Sequence, residues 1–242
     1  MKSLSQITDQ DLDEVEREAY RSSLYKTAKY LLGYTDITQR THGGIIRKLE
    51  SPGRRKLICV PRGTFKSSIG VVSFSIWSLL RNPDLRIMID SENYVNSKNF
   101  VREIAAHLER PEITTLFGRF RSRRNWGEGS LTIAQRSEIT KESSVIASGI
   151  GANKTSQHMD IIIHDDLNSQ KNSQTPEQRK KVIAHYQMNT SILEPDGTMV
   201  VIGTRYAEDD IIGWVLQNEV DLSRFTDQEL ELMGVKRGGG LL

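Results

Sequence analysis

A short apolar strand that runs directly into a turn and a Lys-Ser-Ser helix start is the feature that most restricts this chain. Leu57, Ile58, Cys59 and Val60 read as the strand, Pro61 and Gly63 as the turn, and Lys66, Ser67 and Ser68 as the helix opening. Strand, turn and helix in that order gather an ammonium, hydroxyls and unpaired backbone N–H groups at one point. An oligophosphate needs that combination. The spelling departs from the regular phosphate-loop pattern G-x-x-x-x-G-K-[ST], because Val60 and Phe65 stand where it has glycines. On its own the stretch does not specify a nucleotide site; that reading needs partners elsewhere in the chain.

The apolar pattern supplies a scaffold for such partners. Residues 9–32 form a helical pattern with Thr8 as N-cap and Gly33 as stop, and residues 38–49 a second helix broken by Ser51-Pro52-Gly53. After Lys66, the residues Ile69, Val72, Ile76, Leu79 and Leu80 mark a helix that ends at Asn82-Pro83-Asp84. Residues 85–90 are the next strand, and Val101, Ile104, Ala105 and Leu108 mark the helix after it. This β-α-β-α order predicts a parallel sheet with helices on its faces. Residues 111–150 are less regular, with strands expected at 131–133 and 145–147. The most apolar strand, Asp160-Ile161-Ile162-Ile163-His164-Asp165-Asp166, ends in two carboxylates. A helix opens at Pro176, Pro195-Asp196-Gly197 is a turn, residues 198–202 are a buried strand ending in Gly203-Thr204, and a last helix holds Ile211, Ile212, Val215 and Leu216.

Three strands thus end in polar residues, and in an open parallel sheet the ligand crevice lies at the carboxyl ends of the strands. Lys66 would face the outer phosphates, Ser67 or Ser68 would offer a hydroxyl to Mg²⁺, and Asp165 would be the single carboxylate that such an ion needs. Asp166 would polarise an attacking water, and Arg62 would reach the phosphates or a neighbouring carboxylate. His107, His158 and His185 show no metal spacing, which argues against zinc. His164 reads as packed or hydrogen-bonded.

Composition excludes some classes. The chain has 242 residues, 37% hydrophobic and 26% charged, with a formal charge of +2. That suits a polar globular protein with a sizeable core. Its one cysteine, Cys59, is expected inside the apolar strand, so a reducing compartment is predicted. No apolar run approaches the roughly 20 residues of a membrane span, and Asp9, Asp11, Asp13 and Glu14 are too acidic for a signal peptide. Basic residues cluster at Arg54-Arg55-Lys56 and at Arg119, Arg121, Arg123 and Arg124.

With these residues in view the chain resembles the ATPase domain of the large terminase subunit of tailed bacteriophages. The resemblance is carried by Pro61-Arg62-Gly63-Thr64-Phe65-Lys66-Ser67, by Met159-Asp160-Ile161-Ile162-Ile163-His164-Asp165-Asp166-Leu167, by Thr175-Pro176-Glu177-Gln178, and by Val201-Ile202-Gly203-Thr204-Arg205-Tyr206-Ala207-Glu208-Asp209-Asp210. It extends from about residue 32 to about residue 216. It implies an α/β P-loop NTPase fold of ASCE type, with a mostly parallel central sheet flanked by helices. It also implies ATP and Mg²⁺ as cofactors, and a deviant phosphate loop at residues 61–68 whose arginine, Arg62, stands four residues before the lysine. Ser67 and Asp165 would hold the metal, Asp166 would activate water, and Thr204 would couple hydrolysis to movement.

Two departures stand out. Phe65 replaces the usual glycine before the lysine. Family members also carry an arginine shortly before the Asp-Asp strand that acts on the next subunit's nucleotide, where this chain has Lys154; Arg123 and Arg124 are the other candidates for that role.

The resemblance predicts an N-terminal helical region (residues 1–53), an ATPase core (54–220) and a lid or linker tail (221–242), without the family's nuclease domain. The expected partners are double-stranded DNA, a portal protein, a small terminase subunit and further copies of the chain in a ring, most simply a pentamer. The expected location is the host cytoplasm, transiently docked on a procapsid, with no membrane. The competing expectations are a helicase-like DNA-dependent ATPase and a non-hydrolysing P-loop module that binds DNA or aids assembly.

Overall fold

Runs of Ile, Val and Met that are apolar at every position belong to strands covered on both faces, and such strands form the centre of this protein. The computed structural model describes residues 8–152 and 156–219, together with residues 226 and 228. Among these, β1 (Arg55–Cys59), β2 (Ile87–Ser91), β3 (Arg121–Trp126), β4 (Ser130–Ile133), β5 (Val145–Gly149), β6 (Met159–Asp165) and β7 (Leu193–Gly203) form one sheet in the order β1-β7-β6-β2-β5-β4-β3. The strands from β1 to β5 in that order run parallel; β4 is antiparallel to β5, and β3 to β4. This is the mostly parallel α/β sheet that the pattern predicts.

Side chains alternate between the two faces. Ile58, Ile87, Ile89, Ile161, Ile163, Val200 and Ile202 share a core with the N-terminal helices, α4 (Phe74–Arg81) and α5 (Tyr94–Leu108). Met88, Ile162, Met199 and Val201 share the other core with α7 (Pro176–Thr190) and α8 (Ile211–Asn218).

Several expectations need correction. The first helix does not run unbroken from 9 to 32. α1 (Asp9–Arg21) ends at Ser22, and Ser23 caps the short α2 (Leu24–Lys26), which passes into a π-helical turn at Thr27–Leu31. The break lets Leu24, Ala28 and Leu31 enter the core with α3 (Gln39–Glu50), while Leu12 and Val15 stay exposed. The irregular region contains α6 (Pro111–Phe117) and the arginine-rich β3, neither of which its weak periodicity marked. Pro195-Asp196-Gly197 lies within β7, where the pairing register with β6 shifts and the extra residues bulge out. Cys59 is exposed, because it falls on the open side of a strand whose burial alternates. The helix that opens at Lys66 passes through a π-helical stretch (Ser68–Ser73) before α4, which the pattern did not mark, and its residues from Ile69 to Leu80 are buried all round. The expected tail at 221–242 lies outside the described residues, apart from positions 226 and 228.

Gly70 explains how close that helix lies to the sheet. A Cβ on Gly70 would collide with Ile202 Cδ1 of β7. Gly70→Ala gains about 1 kcal/mol of helix propensity, but overpacking a tight core costs about 1–3 kcal/mol. A net loss of about 1 kcal/mol is expected in urea unfolding; a raised midpoint would show that Ile202 rotates away at little cost.

Lys56 supplies a second test. Its ammonium is buried and donates to the Lys48 and Ser51 carbonyls and to Ser51 Oγ. Burial, and secondarily the Lys48 charge, push its pKa down to about 8 from 10.5. The unfolded chain holds this proton to higher pH. The penalty is therefore complete below about pH 8 and fades as pH rises toward the unfolded value. Stability relative to Lys56→Met should climb between about pH 8 and about pH 10.5; a flat difference would contradict the burial argument.

Candidate nucleotide site

The site begins where β1 stops. Val60 N–H still donates to Gly203 O at 3.3 Å, keeping the chain on β7 for one more residue. Gly63 (φ +80°) and Phe65 (φ +53°) then both adopt left-handed backbone, and the Thr64 hydroxyl donates to Pro61 O at 2.8 Å. Glycine takes that conformation freely, whereas a phenylalanine there carries about 1–3 kcal/mol of strain. The Phe65 ring meets His42 of α3 edge-on at 5.6 Å, and His42 is itself buried and accepts Thr38 N–H at 3.0 Å. An N-terminal helix therefore braces the loop at its most strained residue.

Lys66 and Ser67 enter the sheet's carboxyl edge from this loop. The buried Lys66 Nζ donates to Asp166 Oδ1 at 2.6 Å and to Thr204 Oγ1 at 3.3 Å. The Ser67 hydroxyl donates to both carboxylate oxygens of Asp165, at 2.9 and 3.1 Å. β6 delivers Asp165 on the same face as its Ile161 and Ile163, and Asp166 leaves the ladder in left-handed backbone (φ +45°). Burial first, and the neighbouring Asp166 charge second, push the Asp165 carboxyl up to about 7, outweighing the Ser67 hydrogen bond and the Lys66 charge. A dication would offset that burden. A carboxylate beside a hydroxyl is an oxygen donor pair of the kind Mg²⁺ takes while keeping several waters. The residues present therefore fit Mg²⁺. Among the described residues, no group of three or more His, Cys, Asp or Glu side chains could hold a metal.

The remaining predicted site residues are placed as follows. Pro61, Arg62 and Gly63 are exposed, and Thr64 and Ser68 partly so. The Arg62 side chain, expected on phosphate or on a carboxylate, instead donates to the Tyr206 hydroxyl at 2.6 Å. Arg123 and Arg124 lie on β3, at the opposite edge of the sheet from β1. Lys154 lies outside the described residues.

Two features carry polar chemistry that sequence reasoning left without a role. In the first, the buried Asp210 carboxylate accepts from Tyr206 N at 2.7 Å and Ala207 N at 3.1 Å, and caps α8 through Gly213 N at 3.1 Å. It shapes the loop that carries Thr204 and Tyr206, and Asp209 ties the same loop to Arg179 of α7 at 2.7 Å. An aspartate just before an apolar helical pattern is the available N-cap signal. In the second, Asp90 of β2 is wholly buried on the other face of the sheet. Its Oδ2 accepts from His164 Nδ1 (3.0 Å), His185 Nε2 (2.9 Å) and Asn189 Nδ2 (3.0 Å). Burial alone would raise its pKa, but the two imidazole hydrogen bonds outweigh it and hold the carboxyl below the usual range. His164 is hydrogen-bonded, as its position in an apolar strand suggested.

No family model and no curated protein matches the sequence. Among solved structures, the chain is similar to a Saccharomyces cerevisiae Dbp5 variant bound to Nup159, a Gle1 variant, IP6 and ADP. The TM-score is 0.51 at 13% identity, covering 82% of this chain and 50% of that one. The same Dbp5 variant bound to a Gle1 variant and IP6 gives 0.49 at 14% identity, covering 82% and 48%. The chain spans about half the length of the chains it matches. The first of these likenesses shows a shared fold.

Removing the Asp210 carboxylate orphans three backbone donors at once. Asp210→Ala should cost about 2–4 kcal/mol in chemical unfolding, built from a lost N-cap and unmet buried N–H groups. Asp210→Asn, which keeps one acceptor, should cost less. Equal losses would show that packing, not hydrogen bonding, holds the loop.

Proposed function

We propose that this chain is the ATPase motor domain of a terminase large subunit. In this reading it hydrolyses ATP with Mg²⁺ and uses the cycle to drive double-stranded viral DNA into a procapsid. One observation carries the reading: Lys66 meets Asp166 and Thr204, and Ser67 meets Asp165, at the carboxyl ends of β1, β6 and β7. The insertion of β7 between β1 and β6 supports the ASCE type, since it sets a polar strand end, Thr204, between the loop and the carboxylates. The resemblance of the sequence blocks to those of phage terminases supports the finer assignment over other P-loop enzymes.

The chemistry follows from the residues. Mg²⁺, when bound by Ser67 and Asp165, would balance charge on the outer phosphates. The N–H groups of the turn at 62–67 cradle the phosphate oxygens. Lys66 transfers its ammonium from Asp166 to those oxygens, which frees Asp166 to orient a water and accept its proton. That water's oxygen attacks the γ-phosphorus as the bond to the ADP oxygen breaks. Thr204, beside Lys66, follows the γ-phosphate and passes its loss to the 204–210 loop. Arg62 leaves Tyr206 to add a second cation. As this reading has it, copies of the chain form a ring, most simply a pentamer, with portal protein and small subunit as partners in the host cytoplasm.

A helicase-like DNA-dependent ATPase is the second reading, favoured by the fold likeness to Dbp5. Strand displacement from a forked duplex would select it; translocation along an intact duplex selects the packaging motor.

Two substitutions test the chemistry. Lys66→Ala should weaken ATP binding. Asp166→Asn should retain binding while turnover falls about 10²–10⁴-fold, the usual contribution of a general base. Wild-type turnover in Asp166→Asn would remove the catalytic assignment.

A further inference from the structure

We infer that the arginine-rich edge strand β3 is the face on which this protein holds the phosphate backbone of nucleic acid. Between residues 118 and 136 the sequence places Arg119, Arg121, Arg123, Arg124 and Arg136 against Glu128 alone, in a chain whose formal charge is only +2. The first four arginines are exposed. Arg136 is used internally, on Glu142 O and Thr140 Oγ1. Arg121 pairs with Glu109 at 2.7 Å and Arg119 donates to Arg121 O at 3.1 Å. Arg123 and Arg124 have no side-chain hydrogen bond or ion pair among the described residues.

The strand holds these two side chains on a fixed platform. Phe120 is fully buried just before it, and Trp126 packs against the core at its end. Pairing with β4 shifts register between Arg121 and Trp126, so residues 122–125 bulge from the ladder. Asn125 pins the bulge by donating to Ser130 Oγ and Ser143 Oγ, both at 2.9 Å. Bulges at sheet edges re-aim side chains outward.

An exposed edge strand also carries charge simply to prevent pairing with other chains. That purpose accepts either sign and favours lysine. Four arginines without an acid among them instead match a row of phosphates, which the guanidinium fork binds bidentately. The chain's own nucleotide cannot be their target. β3 is six strand positions from β1, and at about 4.8 Å per strand that is roughly 29 Å. Arg123 and Arg124 have no acidic partner among the described residues, and exposed cations in a row suit a linear polyanion better than one nucleotide on a neighbouring copy.

The proposal rests on the motor reading only for its choice of polymer. Its test is anisotropy of a short labelled duplex, and of a single strand of equal length, titrated with the full chain between about 50 and about 200 mM salt. Binding should be indifferent to base sequence and weaken linearly on a log–log salt plot. Arg123→Gln/Arg124→Gln should lower affinity about tenfold or more at the low-salt end and reduce the slope by about two, near 0.9 per lost phosphate contact. The charge-matched pair Lys180→Gln/Lys181→Gln, exposed on α7, should behave as wild type. Arg123→Lys/Arg124→Lys should keep the slope, which guards against a folding artefact. The arm that binds more tightly identifies the polymer form.

Unchanged binding by the arginine-to-glutamine pair would overturn the proposal and leave the ATPase reading standing. No binding of either polymer by wild type would overturn the proposal and the DNA-motor reading together. Equal loss in the lysine pair would reduce the effect to diffuse charge and overturn the proposal. Intact DNA binding with ATPase lost only at ring-forming concentrations would assign the arginines to a neighbour's nucleotide, and overturn it as well.

Discussion

A buried lysine needs an anion, and the carboxyl edge of this sheet is arranged around that need. Lys66 is almost fully covered, and a covered ammonium left without a partner is destabilising. Asp166 supplies the charge at 2.6 Å and Thr204 a further acceptor at 3.3 Å. For both to reach one ammonium, β1 must lie beside β7 and β7 beside β6, which is the observed order. The left-handed backbone at Asp166, and the close approach of Gly70 to Ile202, follow from bringing these elements together.

The loop at residues 61–68 depends on parts of the chain far from it. Phe65 holds a backbone conformation that glycine would adopt without strain, and its ring contact with His42 ties that conformation to α3. Arg62 is held by Tyr206, whose loop is shaped by Asp210 and fastened to α7 through Asp209 and Arg179. A change at the loop therefore has a physical route to both the N-terminal helices and α7. The route consists of single contacts, each with a named partner, so double-mutant cycles can measure the coupling that adjacency alone does not establish.

The two faces of the sheet divide the polar work. Ser67 and Asp165 lie on the face covered by α4 and α5, together with the isoleucines of β2 and β6. Asp90 and His164 lie on the other face, where α7 supplies His185 and Asn189. Adjacent residues of one strand, His164 and Asp165, thus serve opposite faces because side chains alternate along a strand. The Asp90 cluster also gives α7 a polar anchor in an otherwise apolar layer, built on one carboxylate oxygen, while Asp90 Oδ1 and His164 Nε2 are buried without a hydrogen-bond partner among the described residues.

The sequence by itself determined the layered α/β plan. Apolar runs, turn residues and helix caps are local signals, and they marked the strands of the parallel core and most of the flanking helices. They also marked Lys66, Ser67, Asp165, Asp166 and Thr204 as polar endings of three strands, because any open parallel sheet brings such endings to one edge. Only the tertiary structure decided which atoms meet. Periodicity carries no information about Arg62 turning to Tyr206, His42 supporting Phe65, or Asp90 gathering three donors from two elements, since each joins residues separated by more than 20 positions. The same holds for β3, whose arginines hide the alternation that a strand normally shows. A bulged, charged edge strand has one exposed side and few buried neighbours, so its place is set by pairing with β4 and not by its own pattern.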